Sequence, residues 1–210
     1  MTGPTSPTFE GITAVVRAST TQHLVRVIDA LVTEGIQSVE LTLTTPDIQS
    51  FLGKEGSRWR EVASIGMGTV LTAQQAEECL DRGAEFLVTP ALRPDVSAVA
   101  STRNAPIGIG AMTPSEVLSA HESGATVVKI FPAATVSPDY LTHLKGPLPW
   151  LRAMPSGGIR LEQIPAWISA GAVGVSLGSP LLGDAPETGD TSALVARARR
   201  AKALLKREAP

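Results

Sequence analysis

Cysteine is nearly absent from this chain, and neither sign of charge dominates it. Cys79 is the one cysteine among 210 residues, and 20 acidic against 18 basic residues give a net charge of −2. A single cysteine excludes an internal disulfide and a thiolate metal cluster, so we expect Cys79 to be a small core residue. The near-balance of charge argues against nucleic acid or an anionic membrane as the main partner.

Metal, nucleotide and membrane signatures are missing as well. The histidines, His23, His121 and His143, are scattered without the spacing of a ligand set. Neither a glycine-rich dinucleotide fingerprint nor a P-loop occurs, and no apolar run approaches the length of a membrane span. We therefore expect a soluble, cytoplasmic protein that works without a metal or another cofactor. Residues 1–11 are predicted to be an N-terminal tail, because their first part has neither an apolar core nor a basic flank.

What the chain does have is a regular alternation of short apolar runs and amphipathic stretches, which is typical of βα units around a parallel sheet. The predicted strands are 12–17, 37–43, 62–66, 85–88, 106–109, 126–131, 151–154 and 172–177. This number of units predicts an α/β fold of the (β/α)8 TIM-barrel type, as one domain over 12–208. A doubly wound open sheet is the structural alternative.

Residues typical of helix starts and helix ends support these βα units. A hydroxyl residue precedes proline in Thr45-Pro46, Thr113-Pro114 and Ser137-Pro138, which predicts three helix N-caps. Glycines between a helix and the next strand are predicted left-handed helix ends. They are Gly35, Gly83, Gly124 and Gly171.

Lys129 lies in the middle of Val127-Val128-Lys129-Ile130-Phe131, a run that is otherwise typical of a fully buried strand. Moving an ammonium group out of water costs several kcal/mol unless the group is paired or loses its proton. A lysine in such a place tends toward the neutral, nucleophilic form that a Schiff-base enzyme needs. The alternative is a strand-edge lysine whose long side chain reaches the surface.

Glu40 interrupts the second predicted strand. By alternation it shares one face with Thr42 and Thr44, while the apolar residues share the other. On a barrel strand that face points into the same lumen as an inward Lys129, and the two together are suited to proton shuttling. The alternative is a solvent-facing glutamate or one that pairs with a neighbouring arginine.

Residues with binding chemistry follow the predicted strands, at the end where a (β/α)8 barrel has its active site. Arg17 ends the first strand, and its guanidinium suits a carboxylate or phosphate. Two glycine-rich turns, Ser156-Gly157-Gly158 and Gly178-Ser179, follow the last two strands. Many barrels bind phosphate there through backbone N–H groups, so we expect a phosphorylated small molecule at this end.

Taken in order, these motifs resemble those of one family. They are Arg17, Val39-Glu40, Gly66-Met67-Gly68-Thr69-Val70, Phe86-Leu87-Val88-Thr89-Pro90, Lys129-Ile130-Phe131-Pro132 and Pro155-Ser156-Gly157-Gly158. From about Ile12 to Leu182 the chain is similar to the class I KDPG/KHG aldolases. These cleave 2-keto-3-deoxy-6-phosphogluconate (KDPG), or in some members 4-hydroxy-2-oxoglutarate (KHG), into pyruvate and an aldehyde. The resemblance implies a homotrimeric TIM barrel without a metal cofactor.

The resemblance also implies a role for each matching residue. Lys129 is the implied Schiff-base nucleophile and Glu40 the general acid/base. Thr69 would help to hold the pyruvate carboxylate. The other implied substrate contacts are Pro90 and Phe131, which would line the pocket, and Gly157, Gly158, Gly178 and Ser179, which would bind the phosphate.

This chain departs from the family pattern in places. Many members have a carboxylate-binding arginine where it has Thr44, which shifts that contact toward Arg17 and Thr69. Met67 replaces a usual alanine, and alternation is expected to point it away from the site. Ser156 replaces a usual threonine and keeps a hydroxyl. Galactonate-type relatives tend to have an apolar residue there, so Ser156 slightly favours the gluconate substrate.

Other functions stay open at this point. The same chemistry on 2-keto-3-deoxy-6-phosphogalactonate (KDPGal) or on KHG is the nearest alternative. A phosphate-binding isomerase or epimerase would use Glu40 as the base and Lys129 only as an electrostatic stabiliser. A non-catalytic sugar-phosphate sensor would keep the barrel and the glycine turns, but it would have no obvious use for both Lys129 and Glu40.

Overall fold

The structure, a computed structural model, describes residues 9–206. Within that range parallel strands alternate with helices along the chain. The strands are β1 (Gly11–Val16), β2 (Ser38–Thr42), β3 (Ser64–Gly68), β4 (Leu87–Val88), β5 (Ile107–Ala111), β6 (Val127–Ile130), β7 (Ala153–Pro155) and β8 (Gly174–Leu177). Each strand overlaps the one predicted at its place, so the repeated βα units are confirmed.

The helices lie between and after these strands. They are α1 (Leu24–Thr33), α2 (Ile48–Glu55), α3 (Ala73–Asp81), α4 (Pro94–Thr102), α5 (Pro114–Glu122), α6 (Pro138–Lys145), α7 (Ile164–Ser169), α8 (Ser179–Leu182), α9 (Ala185–Thr188) and α10 (Ser192–Lys206). Short 3₁₀ helices occupy Gly56–Trp59, Ala133–Thr135 and Leu161–Gln163. None of the helices between residues 9 and 206 has the length and apolar character needed to cross a membrane.

The strands form one ring. In the 8-stranded sheet each strand pairs with its sequence neighbour from β1 to β7, and β1 also pairs with β8. A parallel bridge between Ser156 and Ser176 joins β7 to β8, and the Val173 N–H donates to the Ala153 carbonyl over 3.0 Å. A doubly wound sheet would leave two free edges, so that alternative is wrong. The fold is a (β/α)8 TIM barrel in a single domain.

Side chains alternate between the two faces of each strand, which gives the barrel two separate apolar layers. The outer layer packs strand residues such as Leu41 and Met67 against the helices. Met67 therefore points away from the lumen, as predicted. The inner cluster fills the lumen with the side chains of Phe9, Phe86, Val88, Val127 and Met154.

Phe9 closes the N-terminal end of the barrel. Its ring is 1% exposed and meets Phe86 edge-on, with the ring centroids 5.1 Å apart. Strand β1 begins at Gly11, before the expected boundary at Ile12. Residues 9–11 therefore belong to the barrel rather than to a tail, since burying a phenylalanine ring is strongly favourable. Residues 1–8 of the predicted tail and the end of the predicted domain at 208 lie outside the described residues.

The helix ends follow the local signals at most of the predicted places. Thr113 forms a capping box with Glu116 at the start of α5. The predicted glycine ends, from Gly35 to Gly171, have positive φ. The predicted cap at Thr45 is wrong, because α2 begins later, at Ile48. The Thr45 hydroxyl instead accepts the Ala18 N–H over 3.1 Å, a contact with the loop after β1.

Cys79 is a core residue, as expected. Its side chain is buried in the outer apolar layer. Burial raises the pKa of the Cys79 thiol to about 11, because the thiolate would lose its hydration. The thiol is therefore a poor nucleophile at neutral pH.

Candidate active site

Lys129 and Glu40 meet inside the barrel, near the C-terminal ends of β6 and β2. The Lys129 Nζ lies 3.4 Å from Oε1 and 3.5 Å from Oε2 of Glu40. Lys129 is 6% exposed and Glu40 is 1% exposed. Lys129 therefore does not extend to the surface, and the partner of Glu40 is this lysine rather than an arginine.

A glycine of the neighbouring strand β3 makes room for the Glu40 carboxylate. A Cβ atom added at Gly68 would lie 1.9 Å from the Glu40 Oε1. No side chain fits there, so β3 needs glycine at position 68 for the Glu40 carboxylate to lie against it.

Phe131 and the turn after β7 form the wall beside the lysine. The Lys129 Nζ lies 5.5 Å from the centroid of the Phe131 ring, a cation–π distance. A Cβ at Gly157 would lie 2.8 Å from the same ring. The hydroxyls of Ser156 and Ser176 are hydrogen-bonded over 3.1 Å. This contact holds the Ser156 side chain on the inner face, where β7 meets β8.

The Gly157-Gly158 turn presents backbone N–H groups. Both glycines have positive φ, 87° and 78°. The carbonyls of Ser156 and Gly157 accept the N–H groups of Ala133 and Ala134, which fixes the turn. Within residues 9–206 no protein acceptor takes the N–H of either glycine. Consecutive N–H groups in such a turn suit an anion, and the phosphate contact expected at this turn stays a prediction.

A second group of the predicted residues surrounds a cavity of about 400 Å³. Arg17, Thr44 and Ser179 line it, and Gly178 lies next to Ser179 as the N-cap residue of α8. The Thr44 hydroxyl lies 3.0 Å from the Thr42 hydroxyl, on the strand face that also carries Glu40. Strand β2 therefore connects this cavity with the buried pair.

Thr69 and Pro90 lie on the loops after β3 and β4. Thr69 has φ of 62°, which a β-branched residue rarely adopts. Such backbone strain is common at functional sites. The Thr89 hydroxyl donates to the Ala91 carbonyl over 2.7 Å and accepts the Gly110 N–H over 3.2 Å, so it fixes the Pro90 loop against β5.

These groups are suited to carbonyl chemistry. An amine can add to a carbonyl carbon, a carboxylate beside it can exchange protons, and hydroxyl and backbone N–H groups can hold an anion. Among the described residues, no cluster of three or more His, Cys, Asp or Glu side chains is placed to hold a metal ion.

Comparison with known proteins shows the family of this chain. The family model described as KDPG and KHG aldolase matches residues 8–196. The chain belongs to the KDPG and KHG aldolase family. It is therefore an aldolase, a carbon–carbon lyase, and the isomerase and sensor alternatives are set aside.

Relatives within the family carry different substrate names. The 2-dehydro-3-deoxy-6-phosphogalactonate aldolase of Escherichia coli K12 is 31% identical over 80% of this chain and 82% of its own length. The 2-dehydro-3-deoxy-phosphogluconate aldolase of Dickeya dadantii is 32% identical over 87% of this chain and 86% of its own. A solved structure described as native KDPGal superposes with a TM-score of 0.82 at 28% identity, covering 94% of this chain and 93% of that one. The chain is about equally identical to phosphogalactonate and phosphogluconate aldolases, so sequence identity does not show which of the two substrates it cleaves.

Three residues around the site were not assigned to it from the sequence, and Thr45 among them was predicted only as a helix N-cap. Ser176 pairs with Ser156, Thr45 binds the loop after β1, and Glu187 of α9 binds Ser19 in the same loop. Each contact joins residues at least 20 positions apart. No local pattern marks such contacts in a single sequence.

The close contact at Gly68 generates a mutational prediction. We expect Gly68→Ala to displace the Glu40 carboxylate and to lower kcat/KM by about a hundredfold, since misplacing a reacting group by about 1 Å has this effect. The measurement is steady-state pyruvate release from the aldol substrate. Gly53→Ala is the matched control, because a Cβ in that helix would come no closer than 3.9 Å to a neighbour. Equal activity of the two variants would contradict this account of Gly68.

Proposed function

We propose that this protein is a class I, Schiff-base aldolase that cleaves KDPG to pyruvate and glyceraldehyde 3-phosphate. The observation that carries the proposal is the buried contact between the Lys129 amine and both carboxylate oxygens of Glu40. An amine and a proton acceptor in direct contact, enclosed by a barrel, are the two groups that imine formation and aldol cleavage need.

The contact supports a route to the reactive amine. One proton can pass from the Lys129 ammonium to the Glu40 carboxylate across the 3.4 Å contact, which leaves a neutral amine beside a protonated Glu40. The substrate C2 carbonyl then enters beside a neutral Lys129. The amine adds to C2, the proton held by Glu40 passes to the carbonyl oxygen, and loss of water gives the iminium and leaves Glu40 as a carboxylate.

Carbon–carbon cleavage follows from the iminium. Glu40, directly or through a water, removes the proton of the C4 hydroxyl. The C3–C4 bond breaks, its electron pair moves into the iminium to give the enamine, and the aldehyde leaves. Glu40 then returns a proton to C3, and hydrolysis releases pyruvate and the free lysine. In the cleavage steps Glu40 thus acts first as a base and then as an acid.

Anion-binding groups around the pair support a phosphorylated keto acid as substrate. Thr69 and Thr44 lie on the loops that follow β3 and β2, and we assign the substrate carboxylate to this side, with Pro90 and Phe131 as pocket walls. We assign the phosphate to the N–H groups of the Gly157-Gly158 turn and to Gly178 and Ser179 after β8. Arg17 follows β1, which pairs with β8, and it lines one cavity with Ser179. This position favours the phosphate, rather than the carboxylate, as the partner of Arg17.

The choice of KDPG rests on Ser156. Its hydroxyl is on the inner face and bonded to Ser176, so a polar group lies in the wall where galactonate-type relatives tend to be apolar. KDPGal is the second candidate substrate, because a phosphogalactonate aldolase is 31% identical to this chain over most of its length. KHG is a third, because a KHG/KDPG aldolase from Escherichia coli K12 is also 31% identical.

The same family likeness leads us to propose a cytoplasmic homotrimer. Light scattering on the purified protein would then give a mass about three times the chain mass of 21.9 kDa, and a monomeric mass would contradict it.

Covalent trapping tests the Schiff base. Incubation with pyruvate and sodium borohydride should add one reduced pyruvyl group at Lys129, detected by peptide mass spectrometry. Lys129→Arg should take up no label, and Lys145, which donates to the Gly171 carbonyl over 3.0 Å, should stay unlabelled in the native protein. Full activity without label at Lys129 would refute the mechanism.

Direct comparison of substrates tests the assignment to KDPG. We expect pyruvate release with kcat/KM highest for KDPG, lower for KDPGal and lowest for KHG, which lacks a phosphate. Ser156→Val should shift the KDPG to KDPGal ratio toward KDPGal by about tenfold, the effect of one lost hydrogen bond in a pocket. Ser156→Thr is the control, because it keeps the hydroxyl. A wild-type enzyme that prefers KDPGal would overturn the assignment.

A further inference from the structure

The loop after β1 is tied to α9 by a carboxylate. The Ser19 N–H donates to the Glu187 Oε1 over 2.8 Å, and the Ser19 hydroxyl donates to the Glu187 Oε2. Both oxygens of one carboxylate thus hold one residue, which fixes its orientation as well as its position. The contact spans 168 positions in the sequence, and it joins the first βα loop to the segment after the last strand.

The same loop is held from its other side. The Ala18 N–H donates to the Thr45 hydroxyl over 3.1 Å, and Thr45 follows Thr44 in the loop after β2. The residues next to Arg17 are therefore fixed in two directions, toward β2 by Thr45 and toward α9 by Glu187. Arg17 itself has no ion-pair partner among residues 9–206 and is exposed to the cavity that it lines.

Glu187 and Arg17 line this one cavity together with Ser19 and Ser179. The Ser19 hydroxyl and N–H, with a smaller contribution from His23, hold the pKa of Glu187 below its ordinary value. Glu187 is thus a carboxylate at neutral pH. Its two oxygens are directed at Ser19, while the Arg17 guanidinium, which lines the same cavity, has no ion-pair partner in the described part of the chain.

We propose that Glu187 is a positioning residue. By holding Ser19 it fixes Arg17 in the cavity, and it thereby sets the affinity for an anionic group at the end of the substrate remote from Lys129. This proposal rests on the aldolase function proposed above, which it extends by a residue that touches neither the substrate nor the reacting atoms. Its effect is expected in KM for phosphorylated substrates and not in the Schiff-base chemistry.

Steady-state kinetics with a matched pair of substrates provides the test. KDPG and its dephosphorylated form, 2-keto-3-deoxygluconate, differ only in the phosphate. We expect Glu187→Gln to raise KM for KDPG by about tenfold, the effect of one lost charge-assisted hydrogen bond. The kcat for KDPG and the KM for the dephosphorylated substrate should stay within about twofold of wild type, and borohydride trapping of pyruvate at Lys129 should not change.

Two further variants sharpen the comparison. Ser19→Ala keeps the N–H contact but loses the hydroxyl, so its KM for KDPG should rise less than that of Glu187→Gln. The double variant should lose no more than Glu187→Gln alone, because both substitutions break one contact. Glu162→Gln is the control, since Glu162 forms a surface ion pair with Arg200 over 2.8 Å, and it should behave as wild type.

The other outcomes would overturn the proposal. A lower KM for KDPG in Glu187→Gln would show that the carboxylate acts mainly by repelling the phosphate. Equal losses on both substrates, or a fall in kcat with a lowered melting temperature, would show a merely structural role.

A binding measurement keeps this test separate from the aldolase proposal. Titration of inorganic phosphate, followed by calorimetry, needs no turnover, and Glu187→Gln should weaken phosphate binding about tenfold relative to wild type and to Glu162→Gln. Unchanged phosphate binding would refute the role of Glu187 whether or not the protein cleaves KDPG. Absence of pyruvate labelling at Lys129 in the wild type would refute the aldolase mechanism alone.

Discussion

The buried contact between the Lys129 amine and the Glu40 carboxylate is the constraint on which the rest of this site depends. Lys129 is 6% exposed and Glu40 is 1% exposed. Either charge would be costly without the other, because an unpaired buried charge costs several kcal/mol. Each therefore needs the other, and the barrel has to bring β2 and β6 into one lumen for them to meet. The reactivity that we assign to Lys129 follows from this enclosure.

The interior of the barrel is organised to allow that contact. Toward the N-terminal end, Phe9, Phe86 and Met154 fill the lumen with apolar side chains. Buried hydroxyl groups form hydrogen bonds with one another across neighbouring strands. The Thr13 hydroxyl, for example, donates to the Ser38 hydroxyl over 3.2 Å. Around Glu40, the neighbouring strand carries glycine instead of a side chain. The lumen is thus filled by apolar side chains at the N-terminal end of the barrel and left open for a substrate at the C-terminal end.

Much of this architecture could be predicted from the sequence, because the relevant signals are local. Apolar runs mark every strand, and alternation placed Glu40 on the inner face and Met67 on the outer one. The wrong predictions arose where the same local pattern is compatible with two different structures. A hydroxyl before proline is typical of a helix N-cap, yet the Thr45 hydroxyl binds Ala18, 27 positions away. Phe9 precedes a strand in a polar segment, and its burial follows only from the inner cluster that it joins in the folded barrel, where Phe86 is one of its partners.

The sequence by itself determined the number of βα units, the faces of the strands and the chemical identity of the two central residues, since these depend on periodicity and on side-chain type. Only the tertiary structure decided that Lys129 lies 3.4 Å from Glu40, that Gly68 leaves room for that carboxylate, and that Glu187 holds the loop next to Arg17. Such contacts depend on how the closed ring sets the strands and loops against one another. That geometry is a property of all the strands together and not of any one segment.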